Sequence, residues 1–274
     1  MALAQVNGAT LYYEVAGEGP GVVLVHAGIA DARMWDDQFQ EFVGRHRILR
    51  YDIRGYGRSS LPGGPYSLVG DLRDLLRTVG IERAAVVGVS LGGRIALELA
   101  LLEPGLVTAL VLVGAGMPDH EWADEVKAIG EAEDEALERG DIETAVQLNL
   151  DLWVAGSGRK LEDVDPKVVE RVREMQRDAF VTQVPAYEAD PPPGPGEGLH
   201  PPVGSRLSEI AVPTLVLVGG EDVRDIRDIA DRLAREVPGA RLVVIPGTAH
   251  MPSMEKPAEF NQLVLDFLSS IDGG

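Results

Sequence analysis

The chain contains no cysteine. Disulfides, thiolate nucleophiles and cysteine-ligated metal sites are therefore excluded. Aromatic residues are scarce, at 5%, which argues against a surface built for stacking on sugars or bases. No apolar run approaches the ~18 residues that a membrane span requires. The N-terminal MALAQVNGATLYYEV lacks the basic stretch and apolar stretch of a secretory signal. No membrane association and a cytoplasmic setting are expected, although the lack of cysteine would also suit a secreted bacterial protein. Basic residues are outnumbered, 25 Lys and Arg against 44 Asp and Glu, for a net charge of −19. A polyanion would be repelled over most of such a surface, so no nucleic-acid partner is expected.

What is present is ordinary globular material: 274 residues, 45% of them apolar, enough for a sizeable core. Short β-type runs alternate with amphipathic stretches, the pattern of a mostly parallel sheet with helices on both faces. Residues 10–15, 21–26, 47–51, 84–89, 107–113, 214–218 and 241–245 read as strands. Several are apolar throughout, as strands buried on both faces are. Residues 68–79, 91–102, 226–237 and 257–271 carry the 3–4 residue spacing of helices. Residues 117–206 break the rhythm, with helical patterns at 121–139, 142–154 and 166–181 and no convincing strand. A Pro/Gly-rich stretch, DPPPGPGEGLHPP, closes this segment. The expected organisation is a core of residues 1–116 and 207–274 with a helical insertion at 117–206. Residues 117–145 hold eleven acidic and two basic residues, which a solvated helix face explains.

The most informative stretch is AAVVGVSLGG. Gly88-Val89-Ser90-Leu91-Gly92 has the form G-x-S-x-G between a strand and a helix, the context that a nucleophile elbow requires. A sharp turn there pushes Ser90 out at the sheet's C-terminal edge. The residues two before and two after then crowd together, which suits glycine. The helix N-terminus offers free amides and a positive dipole to an oxyanion. A serine hydroxyl needs a base, and the chain has five histidines. His250 follows a strand and the turn Pro246-Gly247, at the same edge as Ser90; His26, His46, His120 and His200 are less well placed. The imidazole needs a carboxylate in turn. Asp222, after TLVLVGG, is favoured; Glu221, Asp225 and Asp119 compete.

VLVHAGIADARMW, YDIRGYGRSS, GVSLGG, LVGGED and IPGTAHMPSMEKPAEF together resemble the α/β-hydrolase superfamily over about residues 5–116 and 207–272. The DARMWDDQ and RYDIRGYGRS segments are similar to 3-oxoadipate enol-lactonase-like hydrolases and to cofactor-free haloperoxidase/esterase relatives. The resemblance implies a mostly parallel eight-stranded sheet, with the insertion as a cap over the active site. It implies a Ser90–His250–Asp222 triad that forms an acyl-enzyme from a small ester or lactone, without metal or organic cofactor. The amides of Leu91 and Gly28 would hold the oxyanion. The motif departs from the common His-Gly pairing, since the sequence runs His26-Ala27-Gly28. His26 is then expected to be a structural hydrogen-bonder, with Asp52 and Arg54 organising a loop.

Trp153, Trp35 and Met251 are the expected substrate-binding residues, with Trp122 and Phe180 as further candidates for the pocket wall. Arg33 or Arg159 could meet an anionic substrate. Perhydrolysis or C–C cleavage by the same triad remains open, as does a ligand receptor or signalling protein that keeps the triad. Epoxide hydrolase and haloalkane dehalogenase chemistry is disfavoured, because their nucleophile is an aspartate where this chain has Ser90.

Overall fold

A computed structural model describes residues 2–196 and 198–272. Met1 and residues 273–274, which fall within the expected core limits, and Glu197 of the Pro/Gly-rich loop lie outside the described residues. Ten strands run in the order β1 (Ala2–Val6), β2 (Ala9–Ala16), β3 (Gly21–Val25), β4 (Arg47–Tyr51), β5 (Gly64–Tyr66), β6 (Ala84–Val89), β7 (Val107–Val113), β8 (Pro193–Pro195), β9 (Thr214–Gly219) and β10 (Arg241–Ile245) among the described residues. The helices are α1 (Asp36–Phe42), α2 (Leu68–Thr78), α3 (Leu91–Leu102), α4 (Asp124–Glu138), α5 (Ile142–Asn149), α6 (Pro166–Tyr187), α7 (Arg224–Glu236), α8 (Pro252–Glu255) and α9 (Pro257–Asp272).

Eight strands form one sheet in the order β1-β2-β4-β3-β6-β7-β9-β10. The pairs β1·β2 and β2·β4 are antiparallel and the remaining pairs parallel. Alternation along each strand splits the core in two. Val23, Val25, Val86, Leu110, Leu112 and Val216 face α2, α3 and α7 through residues such as Leu72, Ile95 and Ile229. Val22, Leu24, Val87, Val111, Leu215 and Leu217 face α1 and α9 through Phe42, Phe260 and Val264. Of the strands rich in Val, Leu and Ile, β6, β7 and β9 are covered on both faces, whereas β10, read the same way, is the sheet's edge strand and leaves Val244 exposed.

From β3 the chain crosses to β4 on one side, and from β6 to β7 on the other. Neighbouring strands whose connections diverge leave a crevice beyond their carboxyl ends, which is where ligands sit in such sheets. The loop after β3 carries Gly28, and the turn after β6 carries Ser90.

Several elements differ from the sequence reading. β1, β5, α1 and α8 were not legible, since each is short. Residues 193–195 form β8, which pairs in parallel with β5, in a segment where no strand was expected; three residues containing two prolines give no periodic signal. The helix expected over 142–154 ends at Asn149 and continues as one π-helical turn, Leu150–Ala155. That turn carries Trp153.

Candidate active site

Ser90 joins β6 to α3 with φ 54° and ψ −112°, and only Asn7 shares a positive φ among described non-glycine residues. Such a conformation is costly unless its surroundings impose it. Here they do: Ser90 N–H donates to Val113 O at 2.9 Å, while Ser90 O accepts from Arg94 N–H and Gly116 N–H, each at 3.0 Å. The turn is too tight for side chains at its flanks. A Cβ on Gly88 would lie 2.3 Å from Gly92 O, and one on Gly92 would lie 2.2 Å from Val25 O. The serine is left partly exposed at the end of a fully buried strand.

Leu91, the first residue of α3, has no intrahelical acceptor for its N–H. Gly28 adjoins it, since a Cβ there would sit 3.7 Å from Leu91 Cβ. The neighbouring Ala27 N–H is engaged with Met34 Sδ at 3.4 Å, whereas Gly28 N–H has no partner among the described residues. Gly28, Ser90 and Leu91 are all partly exposed between buried neighbours.

His250 Nδ1 lies 2.8 Å from Asp222 Oδ2, with both side chains buried. Asp222 Oδ1 accepts from Val223 N–H at 2.8 Å, so both carboxylate oxygens are occupied. A carboxylate at Nδ1 accepts the proton there and leaves the Nε2 lone pair to act as a base. The other carboxylates are engaged elsewhere. Asp225 accepts from Ala123 N–H and meets His120 Nε2 at 2.9 Å. Asp119 accepts from Gly204 N–H. Glu221 takes part through its backbone, donating to Thr248 O and accepting from Ser157 N–H.

The segment after β7 links the serine to the imidazole. Gly116 N–H holds Ser90 O, while a Cβ on Gly114 would lie 3.1 Å from His250 Nδ1 and 3.2 Å from Asp222 Oδ2. Gly114, at φ +47°, is the floor beneath the pair. Sequence reasoning missed it; its only signal was a glycine closing a strand beside the elbow.

Residues 20–257 match the family model described as the alpha/beta hydrolase fold. This chain belongs to the α/β-hydrolase family.

The hydrolase is 29% identical to a protein of Azorhizobium caulinodans, provisionally named a carbamate hydrolase, over 99% of this chain and 100% of that one. It is 28% identical to the pimeloyl-[acyl-carrier protein] methyl ester esterase of Nitrosospira multiformis, over 94% and 98% of the two chains. Among solved structures, the enol-lactonase of Burkholderia xenovorans LB400 matches at TM-score 0.80 and 26% identity, covering 98% of this chain and 100% of that chain.

The other expected site residues of the hydrolase separate into two groups. Trp153 stands over His250, ring centroids 4.7 Å apart at 37°, and Trp122 meets Trp153 edge-on at 6.3 Å. Trp35, Met251 and Phe180 are buried in the core instead. Trp35 is fully enclosed and packs against Phe260 at 6.2 Å, because α9 covers the face on which a pocket wall was expected. Met251 follows His250, but its side chain turns into the same core.

Neither expected cation is open to an anionic ligand. Arg33 is paired with Asp31 and Asp178, and Arg159 with Glu255. A cavity of about 460 Å³ opens beside Leu91, lined also by Tyr56, Tyr66, Arg94, Glu98 and Tyr187. Arg94 donates through Nε to Glu98 at 2.9 Å, and its terminal nitrogens have no partner among the described residues. It stands one helical turn beyond Ser90, a position that the sequence left unweighed.

His26 is built into the loop. Its Nε2 accepts from Ile53 N–H at 2.8 Å, and its Nδ1 donates to Ala27 O at 2.8 Å. Both nitrogens are committed in the neutral tautomer, and full burial depresses its pKa from 6.5 to about 4. Asp52, whose oxygens accept from Ala32 and Arg58 N–H groups at 2.8 Å, is pushed the other way, to about 6, by burial and then by Asp31. Arg54 grips Asp71 with two bonds of 2.8 Å.

The signs of the two shifts oppose one another. Below pH 6.5 the unfolded chain protonates His26 before the native state does, so this group's contribution is lost as pH falls toward 4. At its limit the loss is roughly 3 kcal/mol. Asp52, protonated more readily in the native state, acts against that loss between pH 3.8 and about 6. His26→Gln should therefore lower stability at pH 7.5 but make it less sensitive to acid between pH 6.5 and 4. Denaturant melts across that range check this; an unchanged slope would show that native His26 takes up its proton over the same range as the unfolded chain, with no depressed pKa.

Among the described residues, no group of three or more His, Asp or Glu is placed to hold a metal ion. No described helix is long and apolar enough to cross a membrane.

Proposed function

We propose that this hydrolase cleaves small carboxylic esters or lactones through an acyl-enzyme on Ser90, with His250 as base and Asp222 as its orienting acid. The observation that carries the reading is the buried 2.8 Å contact between His250 Nδ1 and Asp222 Oδ2, at the sheet edge where a strained turn presents Ser90. Ser90 Oγ attacks the carbonyl carbon as His250 Nε2 takes its proton. The Leu91 and Gly28 N–H groups receive the oxyanion; one such donor is worth about 2.7–4 kcal/mol in the transition state. Collapse of the tetrahedral intermediate expels the alkoxide, which takes the proton from His250. Water, deprotonated by His250, then attacks the acyl carbon and releases the acid and free Ser90.

The relatives named for ester and enol-lactone chemistry support acyl transfer from oxygen, and the cavity beside Leu91 has room for the part of a substrate remote from its carbonyl. Turnover of a panel of p-nitrophenyl esters and simple lactones tests the reading. Multiple turnovers are expected; a single stoichiometric labelling event without turnover would favour a receptor that keeps the triad.

Trp153 should set chain preference on that panel. Trp153→Ala is expected to change the ratio of kcat/KM between short and longer acyl chains by about tenfold, the scale of a methylene contact in a pocket. A uniform loss on every ester, with a large fall in melting temperature, would make Trp153 a purely structural residue.

A further inference from the structure

Arg159 makes four hydrogen bonds from a largely enclosed guanidinium, two to the end of the Trp153 turn and two to the segment around His250. Nε donates to Ala155 O and Nη2 to Val154 O, each at 2.9 Å; Nη1 donates to Gly247 O at 2.9 Å and to Glu255 Oε2 at 2.7 Å. Glu255 Oε1 accepts from Ala249 N–H, the residue before His250, at 2.8 Å. The two side chains are 13% and 6% exposed. An ion pair this enclosed costs desolvation, and removing one partner leaves the other uncompensated.

The pair joins two pieces of the chain. Val154 and Ala155 end the π-helical turn that carries Trp153, and a cation suits carbonyls at a helix C-terminus. Gly247 and Ala249 flank the approach to His250. The seam continues on either side: His250 N–H donates to Trp153 O at 3.2 Å, and Ser157 N–H to Glu221 O at 2.7 Å. Gly156 allows this approach, since a Cβ there would lie 2.2 Å from Glu221 O.

We propose that Arg159 and Glu255 are a positioning pair for His250, fixing its loop to the Trp153 turn so that base and pocket wall are placed as one piece. The inference rests on the assignment of His250 as base. Neither side chain touches substrate; they act through the backbone on either side of the imidazole. A displacement of about 1 Å in a reacting group is enough to cost on the order of 10²-fold.

The test is steady-state hydrolysis of p-nitrophenyl butyrate by Arg159→Ala, Arg159→Lys and Glu255→Gln, alongside thermal melts. Arg159→Ala should lower kcat by about 10–100-fold while KM moves by less than about threefold. Millimolar guanidinium should restore part of the rate, whereas equal sodium should not. Lysine cannot make the planar fork, so Arg159→Lys should fall between wild type and alanine. The double variant Arg159→Ala/Glu255→Gln should be no worse than Arg159→Ala, because the two residues act as a unit. Lys256→Met is the control: its exposed ammonium holds the same loop at Pro246 O, and its loss should leave kcat within about twofold.

Where Arg159→Ala fails to fold, Arg159→Lys and Glu255→Gln carry the test, each with kcat down by several-fold at unchanged KM. Folded variants with wild-type kcat, or a loss confined to KM, would overturn the positioning role. An active His250→Ala would instead overturn the assignment of the base itself.

Discussion

Ser90→Ala is expected to lower kcat for a short-chain ester on the order of 10⁴–10⁶-fold, with the fold intact. The size follows from cooperation: without the nucleophile, the base has nothing to activate. His250→Ala should do comparable damage, and the double variant should be little worse than either. Stability should change little. The bonds that impose the Ser90 conformation are all backbone bonds, to Val113, Arg94 and Gly116, and alanine keeps them. A Ser90→Ala protein that retains more than a tenth of wild-type turnover would place the nucleophile elsewhere.

Asp222→Asn should cost up to ~10⁴ in kcat, by analogy with other serine triads. The asparagine fits the same space, but its amide can donate to Nδ1 and so favour the tautomer with the proton on Nε2. That tautomer cannot accept the serine proton. Glu221→Gln should cost far less, because Glu221 contributes its backbone N–H and C=O to the site, and these survive the change. A crippled Glu221→Gln with a mild Asp222→Asn would make Glu221 the acid. Mild effects from both would send the search to Asp119.

Much of this site was legible because its parts are local. The GVSLGG turn is contiguous, and its glycines are demanded by overlaps that any side chain would create. Asp222 and His250 each follow a strand, and in a parallel sheet successive strands end at one edge. The order of elements therefore brings them together before any coordinate is known. The same holds for the fold, since runs such as 107–113 and 241–245 coincide with β7 and β10.

What stayed hidden depends on long-range contacts. Trp35 has the composition of a pocket wall, and only the packing of α9 against it, through Phe260, makes it core. Arg159 looked like a free cation, but two of its partners, Gly247 and Glu255, lie 88 and 96 residues away on either side of His250. Arg94 drew no notice because nothing local says that this face of α3 borders a cavity. β8 was invisible because its pairing is with β5, more than a hundred residues earlier.

The most direct measurement is the site of covalent capture. The protein is treated with a fluorophosphonate, its intact mass is recorded, and the modified peptide is sequenced by tandem mass spectrometry. One adduct per chain is expected, on Ser90, with none in Ser90→Ala and a much slower reaction in His250→Ala. An adduct on another residue, or full labelling of Ser90→Ala, would contradict Ser90 as the nucleophile.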